Sequence, residues 1–211
     1  MIFRLTEEII FPNPELAEED GLLAIEGDLS PKRLLLAYQN GIFPWFDDDT
    51  PILWYSPHQR FVLFPSEVKI SKSMRQVLKN HPFKITYNQA FEKVILACAE
   101  AKRTEQDGTW ITQEMQDAYL KLHQSGNVHS IEVWDNEELV GGLYGVLVNK
   151  VFCGESMFAK KSNASKIALI WLCQNANINL IDCQIHSDHL EKMGARMIAR
   201  KEFMEYLNRE N

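Results

Sequence analysis

Apolar residues recur at helical spacing in several stretches of the chain. Phe91, Val94, Ile95 and Cys98 fall on one face of a helix predicted over residues 88–102. Met115, Ala118, Tyr119 and Leu122 do the same in a helix opened by Thr112 and closed by Gly126. An earlier helix has Ser30 as its N-cap, Pro31 in its first position and Gly41 just past its end. Residues 69–80 also fit a helix. From residue 129 the period changes to that of strands, over 129–134, 139–148 and 151–158, with Asn136 and Asn149-Lys150 in the turns. A helix over 163–176, a strand over 179–184, a short helix, a brief strand near Met197 and a last helix complete the pattern. An antiparallel meander feeding a strand–helix–strand unit is an α+β arrangement.

The first 60 residues are less regular. Around their one helix lie Phe11-Pro-Asn-Pro14, Gly41-Ile-Phe-Pro-Trp-Phe46 and Trp54-Tyr-Ser-Pro57, rich in Pro, Gly and aromatics. They predict a small α+β domain over residues 1–60, packed on a larger domain over 61–211. The chain's 211 residues suffice for a substantial core. Its longest apolar run, residues 167–173, is far below the roughly 18 residues of a membrane span, so no membrane partner is expected. The acidic N-terminus, with Pro12 and Pro14, does not read as a signal or transit peptide. Four cysteines without CxxC spacing fit a reduced, cytoplasmic protein. A monomer is the default expectation.

A net charge of −7 argues against a nucleic-acid partner until it is located along the chain. Residues 1–60 carry 11 acidic and 4 basic side chains, which accounts for the whole excess. Residues 60–103 carry 9 basic and 3 acidic ones. Within that zone Lys69, Lys72, Arg75 and Lys79, spaced 3, 3 and 4 apart, would share one helix face with no acid between them. Such a face is either solvated surface or a stripe for phosphates.

Four further groups stand out. Glu155 interrupts the apolar strand Phe152-Cys-Gly-Glu-Ser-Met-Phe158, where a carboxylate is solvent-facing, paired or functional. Strict alternation puts Met157 on its face. In Leu180-Ile-Asp-Cys-Gln184 alternation puts Asp182 and Gln184 on one face, a surface or a site, and Ile181 and Cys183 on the other, toward the core. Trp45, Trp54, Trp110 and Tyr119 lie outside the strands, as core or as stacking rings; Trp110 follows Gly108-Thr109 in a loop where it can meet a base. Cys183, His186 and His189 do not have the spacing of a structural zinc site, and Asp47-Asp-Asp49 lacks the Gly and distal Glu of a calcium loop, so no metal is expected.

Several segments occur together in order: Phe11-Pro-Asn-Pro14, Asp20-Gly-Leu-Leu-Ala24, Gly27-Asp-Leu-Ser-Pro31, Ala37-Tyr38, Gly41-Ile-Phe-Pro-Trp-Phe46, Trp54-Tyr-Ser-Pro57, Gly108-Thr-Trp-Ile111, His129-Ser-Ile-Glu-Val-Trp134, Leu139-Val-Gly-Gly-Leu-Tyr-Gly145, Phe152-Cys-Gly-Glu-Ser-Met-Phe158, Asn163-Ala-Ser-Lys166 and Leu180-Ile-Asp-Cys-Gln184. Over nearly the whole chain they closely resemble the leucyl/phenylalanyl-tRNA–protein transferase family. Departures are few: Glu26 where the family usually has Gly, Tyr55 where a second Trp is usual, and Ala199 where Pro is common.

The resemblance implies a larger domain of the GCN5-related acetyltransferase type, with a mixed, mainly antiparallel sheet flanked by helices. It implies transfer of Leu or Phe, and less readily Met, from aminoacyl-tRNA to the N-terminal amine of proteins that begin with Arg or Lys, marking them for N-end-rule degradation. No cofactor is expected, because the aminoacyl ester is already activated. By the same resemblance, Gln184 accepts a hydrogen bond from the attacking amine and Asp182 carries the basicity behind it. Glu155 meets the acceptor's cation, and Leu143, Phe152, Met157, Leu169 and Leu172 form the aminoacyl pocket. Trp45, Trp110 and Tyr119 hold the terminal adenosine, and Lys69, Lys72, Arg75 and Lys79 take the acceptor stem.

Two rival readings compete. An acetyl-CoA-dependent N-acetyltransferase would want a glycine-containing phosphate loop where the chain reads Ala159-Lys-Lys-Ser-Asn-Ala164. A non-catalytic tRNA adaptor would leave Glu155, Asp182 and Gln184 without a use.

Overall fold

The computed structural model describes residues 2–47, 49–101 and 110–209. The expected helix end at residue 102, the Gly108-Thr109 turn and the middle of the Asp47-Asp-Asp49 triplet lie outside the described residues.

Local chemistry explains most element boundaries. β1 (Phe3–Leu5) and β2 (Leu22–Glu26) precede α1 (Pro31–Gln39), where the Ser30 hydroxyl accepts the Arg33 N–H at 3.4 Å. β3 (Phe43–Pro44), β4 (Leu53–Tyr55) and β5 (Gln59–Leu63) follow. α2 (Lys72–Asn80) starts at Lys72, not at residue 69, because Ser71 caps it by accepting the Met74 N–H at 3.1 Å. Lys69 therefore precedes the helix, with its backbone N–H bonded to Met193 O. After β6 (Lys84–Tyr87) and α3 (Phe91–Glu100), α4 (Gln113–Gln124) is capped by Thr112 and ends before Gly126, whose φ of 82° favours glycine.

The meander is β7 (Val128–Asp135), β8 (Glu138–Val148) and β9 (Val151–Ala159), with Asn136 and Asn149 both at φ 53° in its turns. α5 (Ala164–Asn175), β10 (Leu180–Gln184), α6 (Asp188–Lys192), β11 (Arg196–Ala199) and α7 (Arg200–Leu207) complete the chain. The apolar run of residues 167–173 lies within α5, whose Ile167, Ala168, Leu169, Ile170 and Leu172 are buried. Among the described residues, no helix is long and apolar enough to cross a membrane.

Among the described residues these strands make two sheets. The smaller has the order β1-β2-β4-β3 and the larger β11-β5-β10-β9-β8-β7-β6. In the larger sheet only β9 and β10 pair in parallel, so it is mixed and mainly antiparallel, as the sequence predicts. Helices cover both of its faces. α3 and α4 bury Phe91, Val94, Met115 and Tyr119 on one face, in a core continuous with Leu23, Leu34 and Trp54 of the N-terminal segment. α5 and Met74 of α2 cover the other face with Phe61, Leu143, Phe152 and Ile181.

α5 lies close on the sheet because Gly141 of β8 has no side chain. A Cβ there would collide with Ala164 Cβ and stand 3.0 Å from the Ala164 carbonyl carbon. Gly141→Ala is expected to destabilise the fold by about 1–3 kcal/mol, the usual range for overpacking, read as a shifted urea midpoint with an unchanged slope.

Candidate active site

Two β-bulges create the site. On β9, Tyr144 pairs with Ser156 and Gly145 with Gly154, so Glu155 is an extra residue. On β10, Val62 pairs with Asp182 and Phe61 with Gln184, so Cys183 is the extra residue. The parallel pairing of β9 and β10 runs only as far as Cys153–Asp182. Past it the two strands part around a cavity of about 370 Å³, lined by Gly154, Glu155, Cys183 and Gln184 among others.

The bulges overturn two expectations drawn from strict alternation. Glu155 and Met157 do not share a face: Met157 packs with Leu143, Phe152 and Leu169, while Glu155 turns to the hydroxyl of Tyr119 in the opposite core. Asp182 and Gln184 do not form a side-chain relay either. Gln184 sits at φ 64°, in the left-handed region, and its backbone N–H donates to Asp182 Oδ1 at 2.9 Å.

Asp182 is held in a buried ion pair and does not meet the Gln184 side chain. It is 0% exposed, and Arg60 Nε and Nη2 donate to its two oxygens at 2.8 Å each. The Arg60 guanidinium in turn donates to Gly41 O at 3.0 Å and lies 4.7 Å from the ring centroids of both Phe43 and Phe203. With both oxygens engaged and no contact with water, Asp182 anchors the backbone of Gln184.

Glu155 and Asp182 both line the cavity, and Glu155 carries the side-chain contact to Gln184. It accepts Gln184 Nε2 at 2.8 Å and the Tyr119 hydroxyl at 3.1 Å. The Tyr119 hydroxyl is also hydrogen-bonded to that of Tyr38 on α1. Burial pushes the Glu155 carboxyl up to about 7; the charge of Asp182 pushes the same way, while hydrogen bonds from Tyr38, Tyr119 and Gln184 oppose the rise. Burial and the neighbouring Glu155 charge also hold both tyrosines well above the ordinary phenol range, so they serve as neutral hydrogen-bonding groups.

The remaining candidates divide around this centre. Leu143, Phe152, Met157 and Leu169 line the cavity, as do Trp45 and Trp110. Leu172 does not; one turn along α5 from Leu169, it faces a separate groove. Tyr119 is 0% exposed, so its ring cannot stack on an adenosine. Lys72, Arg75 and Lys79 are exposed on α2, with Lys69 exposed before it. Among the described residues Cys183 and His189 join no metal-like cluster; the grouping found is the exposed trio His186, Asp188 and Glu191, with ligand atoms within 4.8 Å of one another.

Arg60 and Tyr38 were not singled out from the sequence. A charge opening the apolar run Arg60-Phe-Val-Leu-Phe64 is the signal that could have marked the first. Tyr38 carries no comparable local signal.

Removing one member of the buried pair strands the other. Asp182→Ala is expected to lower stability by about 3–5 kcal/mol, whereas an apolar pair, Arg60→Met with Asp182→Leu, recovers most of the loss in denaturant melts.

Two family models match most of the chain. Residues 62–208 match the model described as leucyl/phenylalanyl-tRNA protein transferase, and residues 27–58 match that of its N-terminal domain. A leucyl/phenylalanyl-tRNA–protein transferase of Syntrophobacter fumaroxidans is 54% identical over 98% of this chain and 89% of its own length. One from Flavobacterium psychrophilum is 54% identical over 97% and 99%. Among solved structures, a GCN5-related N-acetyltransferase from Kribbella flavida is 9% identical, with a TM-score of 0.42, over 78% of this chain and 59% of that one. With family models matching most of its length and relatives identical at more than half of the aligned positions, the chain belongs to the leucyl/phenylalanyl-tRNA–protein transferase family.

Proposed function

We propose that the protein moves Leu or Phe, and less readily Met, from aminoacyl-tRNA to the N-terminal amine of proteins beginning with Arg or Lys, and so marks them for N-end-rule degradation. It acts in the cytoplasm as a monomer and needs no cofactor, since the donor ester is already activated. The observation that carries this reading is Glu155: a carboxylate poised near neutrality, at the junction of an apolar pocket and an aromatic rim.

In this reading Leu143, Met157 and Leu169 hold the donor's apolar side chain, with Phe152 at its end. Unbranched Met157 adapts to both Leu and Phe. Trp45 and Trp110 flank the terminal adenosine, and the exposed cations of α2 take stem phosphates without reading bases. The acceptor enters against Glu155, whose negative form attracts its cationic N-terminal residue.

An ammonium is no nucleophile, so its proton must leave first. Glu155 is the group to take it: its carboxyl lies near 7, and its pull on cations brings the amine within reach. Gln184 donates through Nε2 to Glu155, which orients its amide oxygen to accept from the amine N–H. The freed amine attacks the ester carbonyl, a C–N bond forms, and the bond from that carbon to the ribose oxygen breaks. Protonated Glu155 then returns its proton to the departing ribose oxygen, and the surplus proton on the new amide nitrogen leaves to solvent. Much of the acceleration comes from holding the two ends together.

The direct test is transfer of radiolabelled Leu from Leu-tRNA to a protein with N-terminal Arg and to the same protein with N-terminal Glu. Label is expected on the first alone; none on either overturns the reading. At saturating acceptor the rate is expected to rise with pH through about 7 as Glu155 loses its proton. Glu155→Gln is expected to remove that step and lower kcat by about 100-fold, leaving the later rise from the free amine near pH 8. Replacing Lys72, Arg75 and Lys79 with Ala is expected to raise the tRNA KM and flatten its log–log salt dependence by about one unit per lost phosphate contact.

A further inference from the structure

Behind the central cavity lies a second one of about 460 Å³. Leu147, Leu172 and Ile178 contribute apolar walls, and Tyr87, Trp171 and Lys150 stand among its remaining lining residues. Among the described residues one side chain borders both spaces, that of Phe152. It is 2% exposed and reaches from β9 between them.

The ring has a seat. A Cβ on Gly145 would stand 2.6 Å from Phe152 Cε1 and 2.7 Å from Cζ, so the ring lies directly against the bare Cα of that glycine. In the β8–β9 register Gly145 faces Gly154, and Phe152 faces Leu147. The aromatic ring thus lies against Gly145 and not against its pair partner Gly154, whose nearest neighbours are Asp182 and Ile181. α5 runs past both spaces, with Leu169 in the first and Leu172 in the second.

We propose that Phe152, seated on Gly145, is the partition that sets the depth of the aminoacyl pocket, and therefore the residue that determines the largest side chain the enzyme can transfer. Truncating it joins the two spaces. The pocket then continues into the groove behind it and admits side chains longer than that of Phe. This inference rests on the reading of the central cavity as the donor's side-chain pocket.

The experiment charges tRNA with Leu, with Phe and with p-biphenylalanine, and measures transfer of each to a protein with N-terminal Arg. Phe152→Ala is expected to raise the biphenylalanine-to-Leu ratio of kcat/KM by about tenfold relative to the unaltered enzyme, the scale of discrimination that apolar pocket size sets. Adding Leu172→Phe, which returns an aromatic ring from the far side, is expected to bring the ratio back down. If Phe152→Ala lacks a cooperative unfolding transition, the milder Phe152→Leu carries the same test, with an expected change of about threefold. A folded variant that transfers Leu with an unchanged ratio overturns the partition. So does a raised ratio that Leu172→Phe leaves untouched, because the added space would then lie elsewhere. Failure of the unaltered enzyme to transfer Leu overturns the underlying donor reading instead.

Discussion

The Arg60 guanidinium is held on several sides at once. Two of its nitrogens grip Asp182, a third reaches the carbonyl of Gly41, and the rings of Phe43 and Phe203 lie 4.7 Å from its centre. Those partners come from β10, the turn after α1, β3 and α7, all distant in the chain. A charge taken out of water destabilises the fold unless its counter-charge and hydrogen bonds are complete, so losing one partner costs more than replacing both. The site depends on that completeness. Asp182 holds the Gln184 backbone, Gln184 reaches across to Glu155, and the two strands keep the separation that leaves a cavity between them.

The cavity is an outcome of strand pairing as much as of side chains. A regular parallel pair of β9 and β10 would close the gap with backbone hydrogen bonds. One extra residue on each strand turns Glu155 and Gln184 toward one another where such bonds would otherwise form. Pairing resumes on the outer flanks, where β5 and β8 continue their ladders, so the sheet remains continuous in its register on either side of the opening. Strands thus carry Glu155 and Gln184.

Much of the fold was legible because it was locally encoded. Ser30 and Pro31, Thr112 and Gly126, and the two turn asparagines act within a few residues of themselves, and the elements they bound lie close to where they were expected. The meander of β7, β8 and β9 followed from those elements, whereas the mixed sheet was expected from the family resemblance and the inner strand β5 was not foreseen. The start of α2 was missed because Ser71 caps it, and a cap competes with a run of cations that also suits a helix. Alternation failed at Glu155 and Gln184, because a bulge depends on the neighbouring strand and not on the strand that carries it. The ion pair of Asp182 was not legible because its partner, Arg60, lies 122 positions away. Leu172 read as pocket wall because three-residue spacing identifies a helix face but not what divides the space in front of it. The same limit hid the meaning of Glu26. Its φ of 65° explains why glycine suits that place, yet a backbone angle cannot be read from the residue that tolerates it.

The hydroxyl chain from Tyr38 through Tyr119 to Glu155 begins on a helix of the N-terminal segment and ends on a strand of the larger sheet. The acidity of Glu155 is therefore a property of the docked whole. Segments matched by two separate family models thus meet at a single carboxyl, and neither contains that environment alone.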